Sequence, residues 1–167
     1  MNASDLQKLN NAVEFLIKQK SFSETVEKLN AELHHSPEPF VWSVIDLDRI
    51  DSDLPDNIKS CWIFVLKQDV PSGCHFHPNS IQHMIAVKGH GSSKVGGTNK
   101  RIVPIGSSNA SLSDAWFVID EGVPHEFFPE DEDMVVVSFH TCVADELEEI
   151  ACGSGEKRLY EGEIEHR

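Results

Sequence analysis

Gly73-Cys74-His75-Phe76-His77-Pro78-Asn79-Ser80-Ile81-Gln82-His83 is the stretch on which the fold and chemistry of this chain turn. In an extended strand, successive side chains face opposite ways, so His75 and His77 point to the same side. Two imidazoles at that spacing can reach one ion. A third strong ligand must come from elsewhere, and His125 is the best placed. It follows Asp120-Glu121-Gly122-Val123-Pro124, where a tight glycine turn would start a strand and aim its first residues inward. His83 neighbours Gln82 and faces the opposite side of its strand, so it reads as a non-ligand unless the register slips. His34, His35, His90 and His166 stand in helix-end, turn or tail contexts and carry no signal.

Around this stretch the sequence reads as β. Runs rich in β-branched and aromatic residues occupy Phe40–Ile45, Cys61–Lys67, Ile81–Lys88, Arg101–Ile105, Trp116–Ile119, His125–Phe128 and Met134–Thr141. Turn residues separate them, among them Pro71–Gly73, Gly89–Gly91, Gly96–Gly97 and Asp120–Gly122. Many short strands with no helix-length segment between them predict an all-β sandwich or barrel rather than a parallel α/β sheet. Two amphipathic helices precede the β region. Leu6, Leu9, Val13 and Leu16 form one apolar stripe, and Phe22, Val26, Leu29 and Leu33 form another. Ser21 and Glu24 have capping-box spacing, and Ser36-Pro37-Glu38-Pro39 ends the second helix. The pattern divides one domain into a helical segment over 1–36, a barrel over 37–143 and a C-terminal helix and tail over 144–167, the helix at Ala144–Cys152.

The chain has 167 residues, long enough for one domain with a real core. Its 28 acidic and 14 basic residues give a net charge of −14, which opposes binding to nucleic acid or to anionic membranes. No apolar run approaches the ~20 residues that span a bilayer, and the N-terminus lacks the features of a secretion signal. Cys61, Cys74, Cys142 and Cys152 form no CxxC pair and read as reduced thiols, which predicts a cytoplasmic protein. Cys74 is expected to face away from the histidines and to be structural.

The histidine segments resemble the two motifs of the cupin superfamily. His75, His77, Gln82 and Gly89 follow the spacing of the first motif, with Gln82 where that family has a Glu. Gly122 and His125 match the second motif, in which Asp114, Asp120 and Pro129 stand for its Gly, Pro and Asn. The resemblance runs from Val65 to Thr141 and implies a double-stranded β-helix, the jelly-roll barrel, following two short N-terminal helices. It also implies a divalent metal on His75, His77 and His125, with Gln82 as a weak neutral fourth ligand. Fe(II) is the expected ion, with Zn, Mn, Ni or Cu also compatible with such ligands. Cupins are often dimers, so the resemblance allows a homodimer.

A narrower resemblance is to the three-histidine thiol dioxygenases. Ser138 and His140 match that family's Ser-x-His-x-Tyr strand, with Cys142 in place of the Tyr, and imply a catalytic relay. Arg49 resembles the family's carboxylate-binding arginine. The function implied is a non-haem Fe(II) dioxygenase acting on a small thiol or another anionic or chelating molecule. Trp62, Phe64, Ile85, Val87, Trp116, Val118 and Phe127 would be its water-excluding walls. A cupin that holds a metal or small ligand without turnover is the alternative, because the fold alone hosts both.

Overall fold

The computed structural model of the chain describes residues 1–160; the end of the tail, including His166, lies outside the described residues. Two helices come first, α1 (Ala3–Ile17) and α2 (Lys20–His35). Asn2 caps α1 by accepting a hydrogen bond from the Asp5 amide at 2.8 Å. The capping box expected at Ser21 and Glu24 does not form. The helix starts earlier, at Lys20, and its cap Gln19 makes no side-chain hydrogen bond. Ser21 is therefore already inside the first turn, where its carbonyl accepts from the Thr25 hydroxyl.

Among the described residues eleven strands follow: β1 (Phe40–Ile45), β2 (Ser60–Leu66), β3 (His75–Phe76), β4 (Gln82–Lys88), β5 (Gly91–Val95), β6 (Thr98–Ile102), β7 (Phe117–Ile119), β8 (His125–Pro129), β9 (Met134–His140), β10 (Glu148–Ala151) and β11 (Lys157–Leu159). A one-turn helix, α3 (Leu112–Ala115), carries a capping box between Ser111 and Asp114. The strands form two antiparallel sheets. One has the order β1-β2-β9-β4-β7 and the other β11-β10-β3-β8-β5-β6. The sheets face each other as a sandwich, and among the described residues they do not close into the expected barrel.

Strand alternation divides the core into two layers. From the first sheet, Val41, Ile63, Val65, Ile85, Val135, Val137 and Phe139 pack against Leu9, Val13, Leu29 and Leu33 of the helices. Their neighbours Phe40, Trp42, Trp62, Met84, Met134 and Val136 point the other way, toward the second sheet. All seven residues of β9 are buried, because both of its faces are covered. Asn10 ties α1 to the junction of α3 and β7 by accepting from the Trp116 indole at 3.0 Å.

Three further expectations need correction. Ala144–Cys152 is not a helix: Ala144–Glu146 is a single 3-10 turn, and the chain then extends as β10. Gly91, read as part of a turn, begins β5. It must be glycine there, since a Cβ would lie 2.2 Å from the Phe128 carbonyl oxygen. Cys74 and Cys152 are not free thiols but form a disulfide. The β10–β3 register places Ala151 opposite His75, and the Cys152 amide donates to the Cys74 carbonyl, so the two sulfurs meet across the sheet. Cys61 and Cys142 are free. The cytoplasmic expectation thereby loses the support that reduced thiols gave it.

The bridge links residues 78 apart in the chain. On loop-closure entropy it should contribute on the order of 4 kcal/mol. Urea unfolding of Cys152→Ser against the oxidised wild type is expected to show a lower midpoint with a similar slope, and dithiothreitol should erase the difference. Equal midpoints would show that the bridge constrains nothing.

Candidate metal centre

The second sheet assembles the histidines by register. His75 on β3 is the direct cross-strand partner of His125 on β8, and their ring centroids are 4.4 Å apart. His77, two residues on, keeps the same face, with centroids 5.3 Å from His75 and 5.4 Å from His125. The loop before β8 is pinned to this row, because the Gly122 amide donates to the His77 carbonyl at 2.9 Å. Gly122 makes that turn with φ +73°, a conformation that glycine adopts without strain. One ligand atom from each of the three histidines lies within 4.8 Å of the others.

Each ring is oriented by a backbone carbonyl. His75 Nδ1 meets the Gly73 carbonyl at 3.1 Å, His77 Nδ1 the Glu148 carbonyl at 2.7 Å, and His125 Nδ1 the Val123 carbonyl at 2.9 Å. A carbonyl oxygen can only accept, so each Nδ1 carries the proton and each Nε2 keeps its lone pair. All three side chains are buried, and His125 Nε2 has no hydrogen-bond partner. Three neutral imidazoles with inward lone pairs, one buried and unpaired, fit a divalent transition metal.

Burial, aided by the like charge of His77, would hold the His75 imidazolium pKa down to about 3. Burial and then His75 do the same for His125, also to about 3, and burial lowers His77 as well. His75 and His125 are therefore neutral in the folded state through most of the acid range. In an unfolded chain they would take up protons near pH ~6.5. Stability is therefore complete above about pH 6.5 and is lost as pH falls toward 3, where the folded-state groups begin to protonate. Each histidine that stays neutral should cost up to about 1.4 kcal/mol per pH unit in that window. Urea midpoints of the metal-free protein should drop between pH 7 and pH 5, and less so in His125→Gln. A flat profile would contradict this.

Opposite the histidines, the first sheet offers Gln82, Ser138 and His140. Alternation turns all three inward and sends the adjacent His83 toward the helices, where it contacts the Phe139 carbonyl. Ser80 Oγ lies 3.2 Å from the Ile81 carbonyl, to which it donates, and it accepts from the Thr141 amide. It is therefore left to accept from His140 Nδ1 at 2.9 Å. His140 Nε2 must then accept from the Ser138 hydroxyl at 3.1 Å, and Ser138 Oγ accepts from the Gln82 amide at 3.1 Å. This chain fixes the Gln82 amide so that Oε1 is the leftover acceptor, buried and without a partner. Burial, reinforced by His77, keeps the His140 imidazolium pKa well below its usual range.

The cavity at the histidines is lined by His75, His77 and Gln82 and by apolar side chains including Phe64, Met84 and Phe127. Ser138 and His140 do not line it, although the His140 ring packs edge-on against His77 with centroids 5.1 Å apart. Of the expected walls, Trp62, Phe64 and Phe127 lie between the sheets. Ile85, Val87 and Trp116 instead face the helices, and Val118 is 41% exposed. The one-residue alternation on β4 explains the difference, since Met84 and Ala86 take the inward positions. Arg49 is not brought to the histidines. It is exposed in a 3-10 turn and lines a groove with Leu16, Phe22 and Ile63 on the helical face.

A second group of residues at this cavity leaves no signal in the sequence. Glu149 on β10 lies with its Oε2 3.8 Å from His75 Nε2 and accepts from the buried Tyr160 hydroxyl. Arg158 of β11 pairs across from Glu149, with Nε 3.9 Å from Oε1, and its guanidinium sits over the Phe40 ring. Burial, then the Glu149 charge, raises the Tyr160 pKa well above the usual phenol range, so its hydroxyl remains a donor. Nothing in the sequence flagged these residues, because Glu148-Glu149-Ile150-Ala151 reads as helix as readily as strand.

No protein-family model matches this sequence, and no curated protein matches it. The chain is similar to several solved structures. A salicylate 1,2-dioxygenase from Pseudaminobacter salicylatoxidans is 12% identical with a TM-score of 0.51, over 72% of this chain and 33% of that one. The chain thus spans about a third of that enzyme's length. KdgF from a Halomonas species is 14% identical with a TM-score of 0.47, over 64% of this chain and 83% of that one. The cupin domain of Cnp3 from Schizosaccharomyces pombe is 10% identical with a TM-score of 0.46, over 62% and 64%. Among the described residues, no helix is long and apolar enough to cross a membrane. The two antiparallel sheets, with the three-histidine row on one of them, give this chain a cupin fold.

Proposed function

We propose that this chain is a metal-dependent dioxygenase that holds Fe(II) on His75, His77 and His125 and oxidises a small thiol or another anionic or chelating molecule. The observation that carries the reading is the convergence of three buried imidazoles whose Nδ1 protons are committed to backbone carbonyls. Three-histidine sets leave coordination positions for other ligands, which suits non-haem iron and oxygen chemistry. A bound ferrous ion would supply the redox chemistry between dioxygen and the organic substrate.

The chain's own residues would do the rest. Three neutral imidazoles leave the charge of a divalent ion unbalanced, and the single carboxylate at the cavity among the described residues, Glu149, would offset only half of it, so the site would keep a net positive charge that favours an anionic substrate. Phe64, Met84, Phe127 and Val136 would exclude water from the reacting groups. Gln82 would present Oε1 to the centre, and Ser138 and His140 would hold that amide in place as positioning residues. One observation favours the alternative of a binding protein without turnover. The cavity is about 30 Å³, room for about one water molecule, so a substrate must open it.

Protein purified from iron-supplemented cells is expected to carry about one ion per chain, and His77→Ala or His125→Ala to carry almost none. Fe(II)-loaded protein should consume oxygen with at least one compound from a panel of thiols, diketones and hydroxy acids, and His125→Ala should not. Firm metal retention with no uptake across the panel would favour the binding protein, and a metal-free wild type would remove both readings.

A further inference from the structure

We propose that Glu149, presented from the C-terminal strand β10, is the carboxylate ligand of this centre and supplies the charge that Gln82 cannot. The inference rests on the metal reading above but concerns a residue outside both histidine segments. Register carries the first part of the case. Ala151 pairs with His75 and Ile150 with Phe76 across the β10–β3 ladder, so Glu149 comes opposite His77 and on the same face as the histidines. The sheet therefore presents His125, then His75 and His77, then Glu149 on one inward surface across β8, β3 and β10.

Distance and burial carry the second part. Two atoms bound to one ion at about 2.1 Å each can be no more than about 4.2 Å apart. Glu149 Oε2 and His75 Nε2 are 3.8 Å apart, inside that limit. The Glu149 charge also acts on the His77 and His125 rings. The carboxylate is not within 4.8 Å of all three histidine ligand atoms at once, so ligation requires its side chain to turn further toward them, which the two-carbon stem of glutamate permits. Glu149 is only 9% exposed, and a buried carboxylate is costly unless it is paired. Its present partners are the Tyr160 hydroxyl and, at 3.9 Å, Arg158 Nε. These hold it at the cavity wall with one edge toward His75. A divalent ion on three neutral imidazoles lacks a counter-charge, and Glu149 is the carboxylate that lines the same cavity.

The test uses Co(II) as the probe on the full chain, with affinity measured by chelator competition and coordination read from the visible spectrum of the bound ion. Glu149→Gln is expected to weaken Co(II) binding by about 10–100-fold and to change the spectrum, as a changed donor set requires. Affinity within about threefold of wild type would overturn the proposal, as would a loss of affinity with an unchanged spectrum. Should Glu149→Gln fold poorly, as judged by unfolding of the metal-free protein, a crystal of wild type soaked with Zn(II) decides. A Glu149 oxygen within about 2.2 Å of the ion supports the proposal, and one left against Tyr160 overturns it. A wild type that takes up no Co(II) at all would sink the metal reading itself, whereas uptake with Glu149 idle would sink only this inference.

Discussion

The three bonds from imidazole Nδ1 to backbone carbonyls hold the site together. Without them the histidines would be polar side chains in a dry interior, free to rotate or to pair with one another. With them, each ring is locked in one tautomer, and its lone pair is aimed at the same point. Those carbonyls come from Gly73, Val123 and Glu148, in three separate parts of the chain. The second sheet has to bring all three segments into register before any ion can be held. The site is thus a property of the strand pairing, and strand pairing is what folding specifies most firmly wherever one face is buried.

The first sheet plays the complementary part. Its central strands are covered on both faces, by helices on one side and by the histidine sheet on the other. That double burial makes it a rigid floor. The polar residues it turns inward, Gln82, Ser138 and His140, satisfy one another in a single directed chain ending at Ser80. Buried polar groups of this kind are tolerated only when nearly every donor and acceptor is used. The acceptors left over, Gln82 Oε1 and His125 Nε2, belong to residues of the same centre, as expected where a ligand supplies the missing partner.

The sequence revealed the β architecture, the two helices and the three histidines, because each leaves a periodic or spaced signal. His75 and His77 could be placed on one face from alternation alone, and His83 on the other. Closure of the sheets was overestimated, since a strand pattern does not say whether two sheets join at their edges. Walls assigned by hydrophobicity went half to the wrong layer, because Ile85 and Met84 look alike in composition and differ only in parity. The C-terminal strands were missed for a different reason. β10 has four residues and two adjacent glutamates, a pattern that fits the exposed face of a helix as well as a strand. Its strand character comes from pairing with β3 and β11, a tertiary effect that no local window contains.

That missed segment changes how the centre should be understood. β3 has only two residues, and its pairing with β8 rests on the single His75–His125 position. So short a strand cannot hold two ligands by its own ladder. It is gripped from the other side by β10, through two paired residues and the Cys74–Cys152 bridge immediately beside His75. The same strand supplies the Glu148 carbonyl that orients His77 and brings Glu149 to the cavity wall. The C-terminal segment is therefore part of the site's scaffold. Movement of β10 would disturb His75 through the bridge, His77 through its tautomer and the carboxylate through its position, all at once. The integrity of the ligand set is thereby mechanically linked to the pairing of β10.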